Sequence, residues 1–261
     1  MRKRYPTKNG VMHPMYGAKV KGIVPPTLKG AFIQGPWVEW AMGEKAERVL
    51  GDGPRVAGVD VGGAGLDSDK SVITIRKGMR VERVKKFEHQ STMETTGEIA
   101  LLIQEGVQLV YLDVTGIGTG VYERLVELGH GSKVMPINFG GAAYDDPREL
   151  EKTGFSGKAK FSDLGTQMYY NIAQLLEARR MKLEYDEELS MQLLARRMEP
   201  RESNGKLKLE SKKDYKERGF DSPDEADSLA LAFCEVAPSA AYQEPFVEMN
   251  EGEGIESLFD R

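Results

Sequence analysis

Short apolar runs separated by polar turns fill the middle of the chain and predict buried strands. These strands are predicted at residues 55–61, 71–76, 80–87, 107–113 and 133–138. Lys77 and Gly78 separate the second run from the third, and a two-residue turn that contains glycine favours a hairpin. The first three strands are therefore expected to begin the sheet, with the second and third antiparallel.

Apolar residues at helical spacing predict helices between and after these strands. In the first of them, Ile99, Leu102 and Ile103 fall on one face. Helices are predicted at residues 92–105, 118–128, 160–180 and 186–197, and around Asp227; residues 139–157 are predicted to be a loop and 198–211 a polar hairpin. A hairpin followed by strand–helix–strand crossovers predicts an α/β fold with a mixed central sheet and helices on both faces.

The two ends of the chain differ from this central part. Residues 1–53 contain several prolines and one candidate helix, Trp37–Val49, so we expect a linker segment; residues 54–238 are the expected compact domain. Residues 239–261 hold six acidic residues and one basic residue, which equals the whole formal net charge of −5. Low hydrophobicity and high charge predict that this acidic tail is disordered.

Several classes of protein are excluded by composition. The chain has no run of about 18 apolar residues and no apolar stretch behind its basic start, which argues against a membrane span or a secretion signal and for a cytosolic protein. Its single cysteine, Cys234, cannot form an internal disulfide and is expected in the core. The three histidines lack zinc-site spacing, and no P-loop motif is present.

Three acidic motifs carry the candidate chemistry: GVDVGGAG at 58–65, YLDVTGIGTG at 111–120 and SPDEADSLALA at 222–232. Asp60 and Asp113 end predicted strands and precede glycine-rich turns, where ligands of open α/β sheets bind. Taken singly, each could be a turn or cap residue, and Asp227 a solvated helical residue. However, apolar residues follow Asp227 directly, and an acid on a buried helix face is costly unless it is liganded. The three aspartates together predict a site for Mg²⁺ or Mn²⁺.

A basic stretch lies just before the third motif. It contains Lys206, Lys208, Lys212, Lys213, Lys216 and Arg218 against three acidic residues. The charge alone is equally consistent with contacts to nucleic-acid phosphates and with a solvated hairpin and turn.

These motifs, in this order, resemble the ribonuclease H-like fold. GLDSDKSVITI, LDVTGIGTGVYERL and ESKKDYKERGFDSPDEADSLALA resemble the C-terminal nuclease domain of the large terminase subunit of tailed bacteriophages. HPMYGAKVKGIVPP at 13–26 and GPWVEWAM at 36–43 are similar to the segment that joins the packaging ATPase to that domain. The resemblance covers residues 13–237, and SPDEAD with its upstream lysines is its most specific part.

The resemblance implies an endonuclease that uses two Mg²⁺ or Mn²⁺ ions to cut concatemeric double-stranded viral DNA during packaging. It implies metal binding by Asp60, Asp113 and Asp227, with Asp224 and Asp69 as further candidate ligands. The basic stretch lies next in sequence to the Asp227 helix, and we expect it to contact DNA phosphates near the cut. The partners implied are the terminase ATPase domain, the small terminase subunit and the portal, in the host cytoplasm.

Two alternatives stay open. GVDVGG and LDVTGIGTG also resemble the phosphate-binding turns of actin-like kinases and chaperones, which bind ATP. The chain is short for that class, and SPDEAD stands where a glycine-rich adenosine turn is expected. The other alternative is a nonenzymatic DNA-binding module of the packaging motor, against which the presence of all three aspartates argues.

Overall fold

The computed structural model describes residues 31–65, 68–199 and 205–235; the acidic tail and the first 30 residues of the expected linker lie outside these ranges. Five strands form one sheet in the order β3-β2-β1-β4-β5. They are β1 (Arg55–Asp60), β2 (Ser71–Lys77), β3 (Arg80–Phe87), β4 (Leu109–Asp113) and β5 (Val134–Ile137). β1, β4 and β5 run parallel, while β2 is antiparallel to both β1 and β3. The sheet is therefore mixed, as the sequence predicts.

Nine helices surround this sheet in the described part of the chain. They are α1 (Gly35–Met42), α2 (Thr92–Gln104), α3 (Gly118–Glu127), α4 (Pro147–Thr153), α5 (Gly157–Lys160), α6 (Leu164–Glu177), α7 (Glu187–Ala195), α8 (Lys212–Glu217) and α9 (Asp224–Ala232). Two 3₁₀ segments, Glu44–Arg48 and Gly131–Lys133, and a two-residue strand pair, β6 (Met198–Glu199) with β7 (Lys208–Leu209), complete the elements. None of the described helices has the length and apolar character that crossing a membrane requires.

The two faces of the sheet carry different helices, because side chains alternate along each strand. Ala57 and Val59 pack in one core with Ile99 of α2 and Leu125 of α3. Val56 belongs to the other core, which contains residues of α1, α6, α7 and α9. Helices on both faces confirm the predicted fold class.

Helix α9 packs unusually close to the sheet. A side chain at Gly58 of β1 would overlap with the backbone of Ser228 and Ala232 in α9. The Ser228 hydroxyl donates to the Gly58 carbonyl at 3.0 Å and lies 2.9 Å from the Thr74 hydroxyl. At the other end of α9, buried Arg76 donates to the carbonyl of Ala232 at 2.5 Å. These contacts fix α9 relative to β1 and β2.

Several predicted elements need correction. The predicted helix Trp37–Val49 is α1 followed by a 3₁₀ segment, and the predicted helix over 160–180 is interrupted, because Asp163 caps a new helix by accepting from Thr166 N at 2.7 Å. The hairpin turn lies at Gly78 and Met79, one residue later than predicted. The loop at 139–157 contains α4.

The basic stretch is also different from the prediction. In the described part of the predicted hairpin at 198–211, β6 pairs with β7, and residues 212–217 form helix α8. Ser211 starts this helix by accepting a hydrogen bond from Asp214 N at 3.1 Å. Such a serine cap satisfies a free N–H of the first turn and favours a helix at this point.

Part of the expected linker packs with the compact domain. Ile33, Val38 and Ala41 are fully buried in the core that contains α9, and Leu183 N donates to the Ala41 carbonyl at 2.9 Å. Residues 32–42 therefore contribute to the same core as the residues after the predicted boundary at position 53.

Candidate metal centre

The first two aspartates leave neighbouring parallel strands at the same edge of the sheet. Val59 of β1 pairs with Leu112 of β4, and Asp60 and Asp113 are the next residues of each strand. Both lie on the α9 side, because Gly58, two residues before Asp60, contacts α9 and Tyr111, two before Asp113, belongs to the α9 core. Asp60 is 7% exposed and Asp113 is 9% exposed.

The third aspartate approaches from the helix. Asp227 lies in the first turn of α9 and is 1% exposed. Its Oδ1 accepts a hydrogen bond from the Tyr169 hydroxyl at 2.6 Å. Its Oδ2 lies 2.7 Å from the Lys212 ammonium nitrogen, which is also 3.5 Å from Asp60 Oδ2. The carboxylates of Asp60 and Asp227 therefore converge on a single cation, the Lys212 ammonium, although the two residues are far apart in sequence.

The oxygens that face this cation are suited to binding metal. Asp60 Oδ2 and Asp227 Oδ2 are both buried, and within the described residues neither accepts a well-aligned hydrogen bond, although both lie near Lys212. Buried carboxylate oxygens without hydrogen bonds are costly unless a cation compensates them. Hard oxygen ligands of this kind fit Mg²⁺ or Mn²⁺.

The acids and Lys212 are not arranged as a closed coordination shell. In the described part of the chain, no three His, Cys, Asp or Glu side chains are grouped closely enough to hold a metal ion. The Lys212 ammonium lies between the acids, where it reduces the repulsion of their charges. A metal ion bound by Asp60 and Asp227 would therefore require Lys212 to move away from at least one of them.

Asp113 is held in place by its own turn. Its Oδ1 accepts from Thr115 N at 2.9 Å and from the Thr115 hydroxyl at 2.6 Å. Both residues line an open cleft of about 430 Å³ that Asp60 and Lys212 also line. The structure thus brings the first two predicted aspartates into one cleft and leaves Asp227 buried beside it.

The two further candidate ligands differ in position. Asp224 lines the cleft, is almost fully buried, and accepts from Lys70 N at 3.2 Å through Oδ2. Asp69 is at the exposed rim, where it pairs with Lys216 at 2.9 Å. Asp224 is therefore placed to join Asp60 and Asp113, and Asp69 is placed nearer solvent.

Burial and neighbouring charges shift the pKa values of these acids in opposite directions. Burial raises the pKa of Asp60 well above its ordinary value, raises the pKa of Asp113, and raises the pKa of Asp224 to about 6. Burial acts in the same direction on Asp227, but Lys212 and Arg196 outweigh it and hold the pKa of Asp227 below its ordinary value. Among these four acids, Asp227 is thus the one whose charged form is best stabilised by its protein neighbours.

The six predicted DNA-binding residues have different surroundings. Lys212 faces the acids, Lys216 pairs with Asp69, and Arg218 contacts Glu210 at 2.5 Å and the Phe220 ring at 4.9 Å. The Lys213 side chain is 84% exposed. Lys206 and Lys208 are partly buried.

Tyr169, Arg196, Thr115 and Lys70 belong to the surroundings of the acids but do not stand out in the sequence. Tyr169 lies within an apolar helical pattern that is typical of core packing, and its contact with Asp227 spans 58 residues. Of these four, Thr115 is the one that the sequence could have predicted. In a turn, an aspartate side chain commonly accepts a hydrogen bond from the residue two positions later.

Comparison with known proteins gives a consistent picture of the fold. No family model and no curated protein sequence matches the chain. The nuclease domain of the large terminase subunit gp2 of bacterial virus Sf6 is similar in structure, with a TM-score of 0.66 and 23% identity, over 79% of this chain and 100% of that domain. A mutant of that domain with manganese and beta-thujaplicinol gives 0.67 and 22% over the same shares. A mutant with calcium gives 0.65 and 23%, over 78% of this chain and 99% of the other.

At this level of identity the similarity establishes the fold. The chain has the ribonuclease H-like fold of phage terminase nuclease domains, and the resemblance predicted from the three acidic motifs is confirmed at that level.

Proposed function

We propose that this protein is a metal-dependent endonuclease that cuts double-stranded viral DNA during genome packaging. The observation that carries the proposal is the convergence of buried Asp60 and Asp227 on one cation beside the cleft that Asp113 lines. The manganese bound to a nuclease domain of the same fold supports the choice of Mg²⁺ or Mn²⁺.

In this proposal Asp60, Asp113 and Asp227 hold the metal, with Asp224 as a further ligand and Asp69 near the rim. When bound, two divalent ions would supply an activated water and a charge that stabilises the leaving 3′ oxygen, so that cutting leaves 5′-phosphate ends. Thr115 would orient Asp113, and Lys212, displaced from at least one acid by the metal, would offset negative charge on the phosphate near the cut.

The likeness to terminase nuclease domains also supports a set of partners. We infer that the substrate is double-stranded DNA, and that the chain works with a terminase ATPase domain, a small terminase subunit and a portal in the host cytoplasm. We infer that the exposed Lys213, together with the less exposed Lys206 and Lys208, contacts DNA phosphates.

Plasmid cleavage tests the proposal. We expect nicking and linearisation in Mg²⁺ or Mn²⁺ and none in EDTA. Asp60→Asn, Asp113→Asn and Asp227→Asn should each slow cleavage by about two orders of magnitude or more, because the amide keeps the shape but lacks the ligand charge. Asp52→Asn, at an exposed position, should cleave like the parent. Cleavage that persists in EDTA would rule out the mechanism, and a parent that binds DNA without cutting it would support a nonenzymatic module.

A thermal-shift measurement distinguishes the actin-like alternative. The proposal expects no stabilisation by ATP with Mg²⁺ beyond that of Mg²⁺ alone. Additional stabilisation by ATP would favour the nucleotide-binding alternative.

A further inference from the structure

The hydrogen bond between Tyr169 and Asp227 joins the middle of the chain to the candidate metal centre. Tyr169 lies on α6 and is fully buried. Its hydroxyl donates to Asp227 Oδ1 at 2.6 Å, within the normal range for a hydroxyl that donates to a carboxylate. The other oxygen of Asp227 is the one that faces Lys212. The two oxygens of this carboxylate therefore have separate partners on opposite sides.

The aromatic ring of Tyr169 packs against two other side chains. The Arg196 guanidinium lies 4.9 Å from the ring centre, and Phe139 packs against the ring edge with centroids 6.4 Å apart. Arg196 is 3% exposed, and its Nε and Nη1 donate no hydrogen bond within the described part of the chain. A buried guanidinium without these bonds is stabilised by the Tyr169 ring and by the negative charge of Asp227.

We propose that Tyr169 is a positioning residue for Asp227, which limits this carboxylate to a single oxygen toward the metal. The inference rests on the proposed function. With Oδ1 held by the hydroxyl, Asp227 presents Oδ2 alone to a bound ion. Without the hydroxyl, the carboxylate can turn and present both oxygens.

The number of oxygens offered affects the choice of ion. Mg²⁺ and Mn²⁺ are small and favour octahedral sites with single-oxygen carboxylate contacts, whereas larger Ca²⁺ accepts a carboxylate through both oxygens. An Asp227 carboxylate with one oxygen bonded to Tyr169 therefore favours the smaller ions. Groups that orient a metal ligand typically change metal affinity by about 10- to 100-fold when they are removed.

The test is Tyr169→Phe, which keeps the ring and its contact with Arg196 and removes only the hydroxyl. Binding of Mn²⁺ and of Ca²⁺ is measured by titration calorimetry on the DNA-free protein. We expect Mn²⁺ affinity to fall by about tenfold or more, and Ca²⁺ affinity to fall much less, so that the preference for Mn²⁺ drops. Equal changes for both ions, or none, would overturn the inference.

Tyr215→Phe is the matched control. Tyr215 is also buried, and its ring also faces Arg196, at 5.6 Å, but it forms no hydrogen bond with Asp227 in the described structure. Its loss of a hydroxyl should leave both affinities unchanged. In an Asp227→Asn background, Tyr169→Phe should have no further effect on the ratio of the two affinities.

A second variant decides the matter if Tyr169→Phe does not fold. Arg196→Lys keeps the buried charge but lacks the planar group beside the Tyr169 ring, so it should shift the Mn²⁺ to Ca²⁺ preference in the same direction. An unchanged preference in that variant would then overturn the inference. A parent protein that binds no Mn²⁺ and cuts no DNA would instead refute the proposed function itself.

Discussion

At the scale of single residues, the candidate site depends on how the charges of three aspartates are compensated. Asp227 has a tyrosine hydroxyl and a lysine ammonium as partners. Asp113 is bonded by Thr115 within its own turn. Asp60 Oδ2 has only the more distant Lys212, at 3.5 Å, among the partners described. The charged form of Asp60 would therefore gain stability from binding a further cation.

Asp224→Asn should change how stability depends on pH. Burial raises the folded-state pKa of Asp224 from its ordinary 3.8 to about 6. A raised pKa means that the contribution of Asp224 to stability is fully present below about pH 4 and is lost as the pH rises through about 6. In EDTA, the variant should therefore gain stability over the parent between pH 4 and pH 7, by up to about 3 kcal/mol.

Chemical denaturation at a series of pH values measures this gain. Asp221→Asn, at an exposed position three residues earlier, is the control and should follow the parent. A difference between Asp224→Asn and the parent that does not change with pH would show that Asp224 is already charged without penalty in the folded protein.

At the scale of elements, helix formation by the basic stretch separates neighbouring lysines. Successive residues of an α-helix point about 100° apart. In α8, Lys212 turns toward Asp60 and Asp227, whereas the side chain of Lys213 is exposed. A pair of lysines that looks equivalent in sequence therefore has two different surroundings.

Helix α9 depends on the absence of a side chain at Gly58. In Gly58→Ala, the new methyl group would meet the backbone of Ser228 and Ala232, which cannot move without displacing the helix that carries Asp227. We expect the free energy of unfolding to fall by about 3 kcal/mol or more, at the upper end for overpacked sites. Urea denaturation of Gly58→Ala and of the parent measures this change in the free energy of unfolding.

Gly97→Ala provides the control for this change. Gly97 lies in α2 with nothing within 4 Å of an added methyl group, so alanine should be neutral or stabilise by up to about 1 kcal/mol. Equal stability of Gly58→Ala and the parent would mean that α9 does not pack against β1 as described.

At the scale of the whole molecule, topology places the candidate metal centre at one edge of the sheet. Asp60 and Asp113 lie at the carboxyl ends of parallel strands. Lys133 directly precedes β5, which runs parallel to β4, and so lies at the opposite edge. The net charge of −5 does not exclude DNA binding, because the tail from Ser239 onward accounts for all of it.

Combined replacement of Lys206, Lys208 and Lys213 by alanine should weaken DNA binding without altering sequence preference. For every phosphate that a lysine no longer neutralises, the slope of log affinity against log salt should fall by about one unit. Fluorescence anisotropy at several salt concentrations measures the slope. Lys212 is left unchanged, because its removal would also disturb Asp60 and Asp227.

Lys133→Ala is the control and should bind as the parent does. An unchanged slope in the triple variant would indicate that the DNA instead contacts the loop and helices near Lys152 and Lys158. Lys160, the third lysine of that region, is held among aromatic rings, with its ammonium 3.8 Å from the Tyr170 ring centre.

The sequence by itself determined the strands, most helices, the fold class and the position of Asp60 and Asp113 at strand ends. These features depend on local pattern: apolar runs set the strands, glycines set the turns, and Asp60 and Asp113 follow directly from where two strands end. The interrupted helix at Asp163 and the helix α8 were missed, although their caps, Asp163 and Ser211, are local signals.

Only the tertiary structure decided which atoms meet. Tyr169 lies 58 residues from Asp227, and Lys70 lies 154 residues from Asp224, so no local pattern connects either pair. The same applies to the separation of Lys212 from Lys213, which requires both a helix and its orientation on the sheet. The physical reason is that strand and turn preferences act between neighbours in the chain, whereas the surroundings of a buried carboxylate are formed by whichever distant side chains the packed core brings to it.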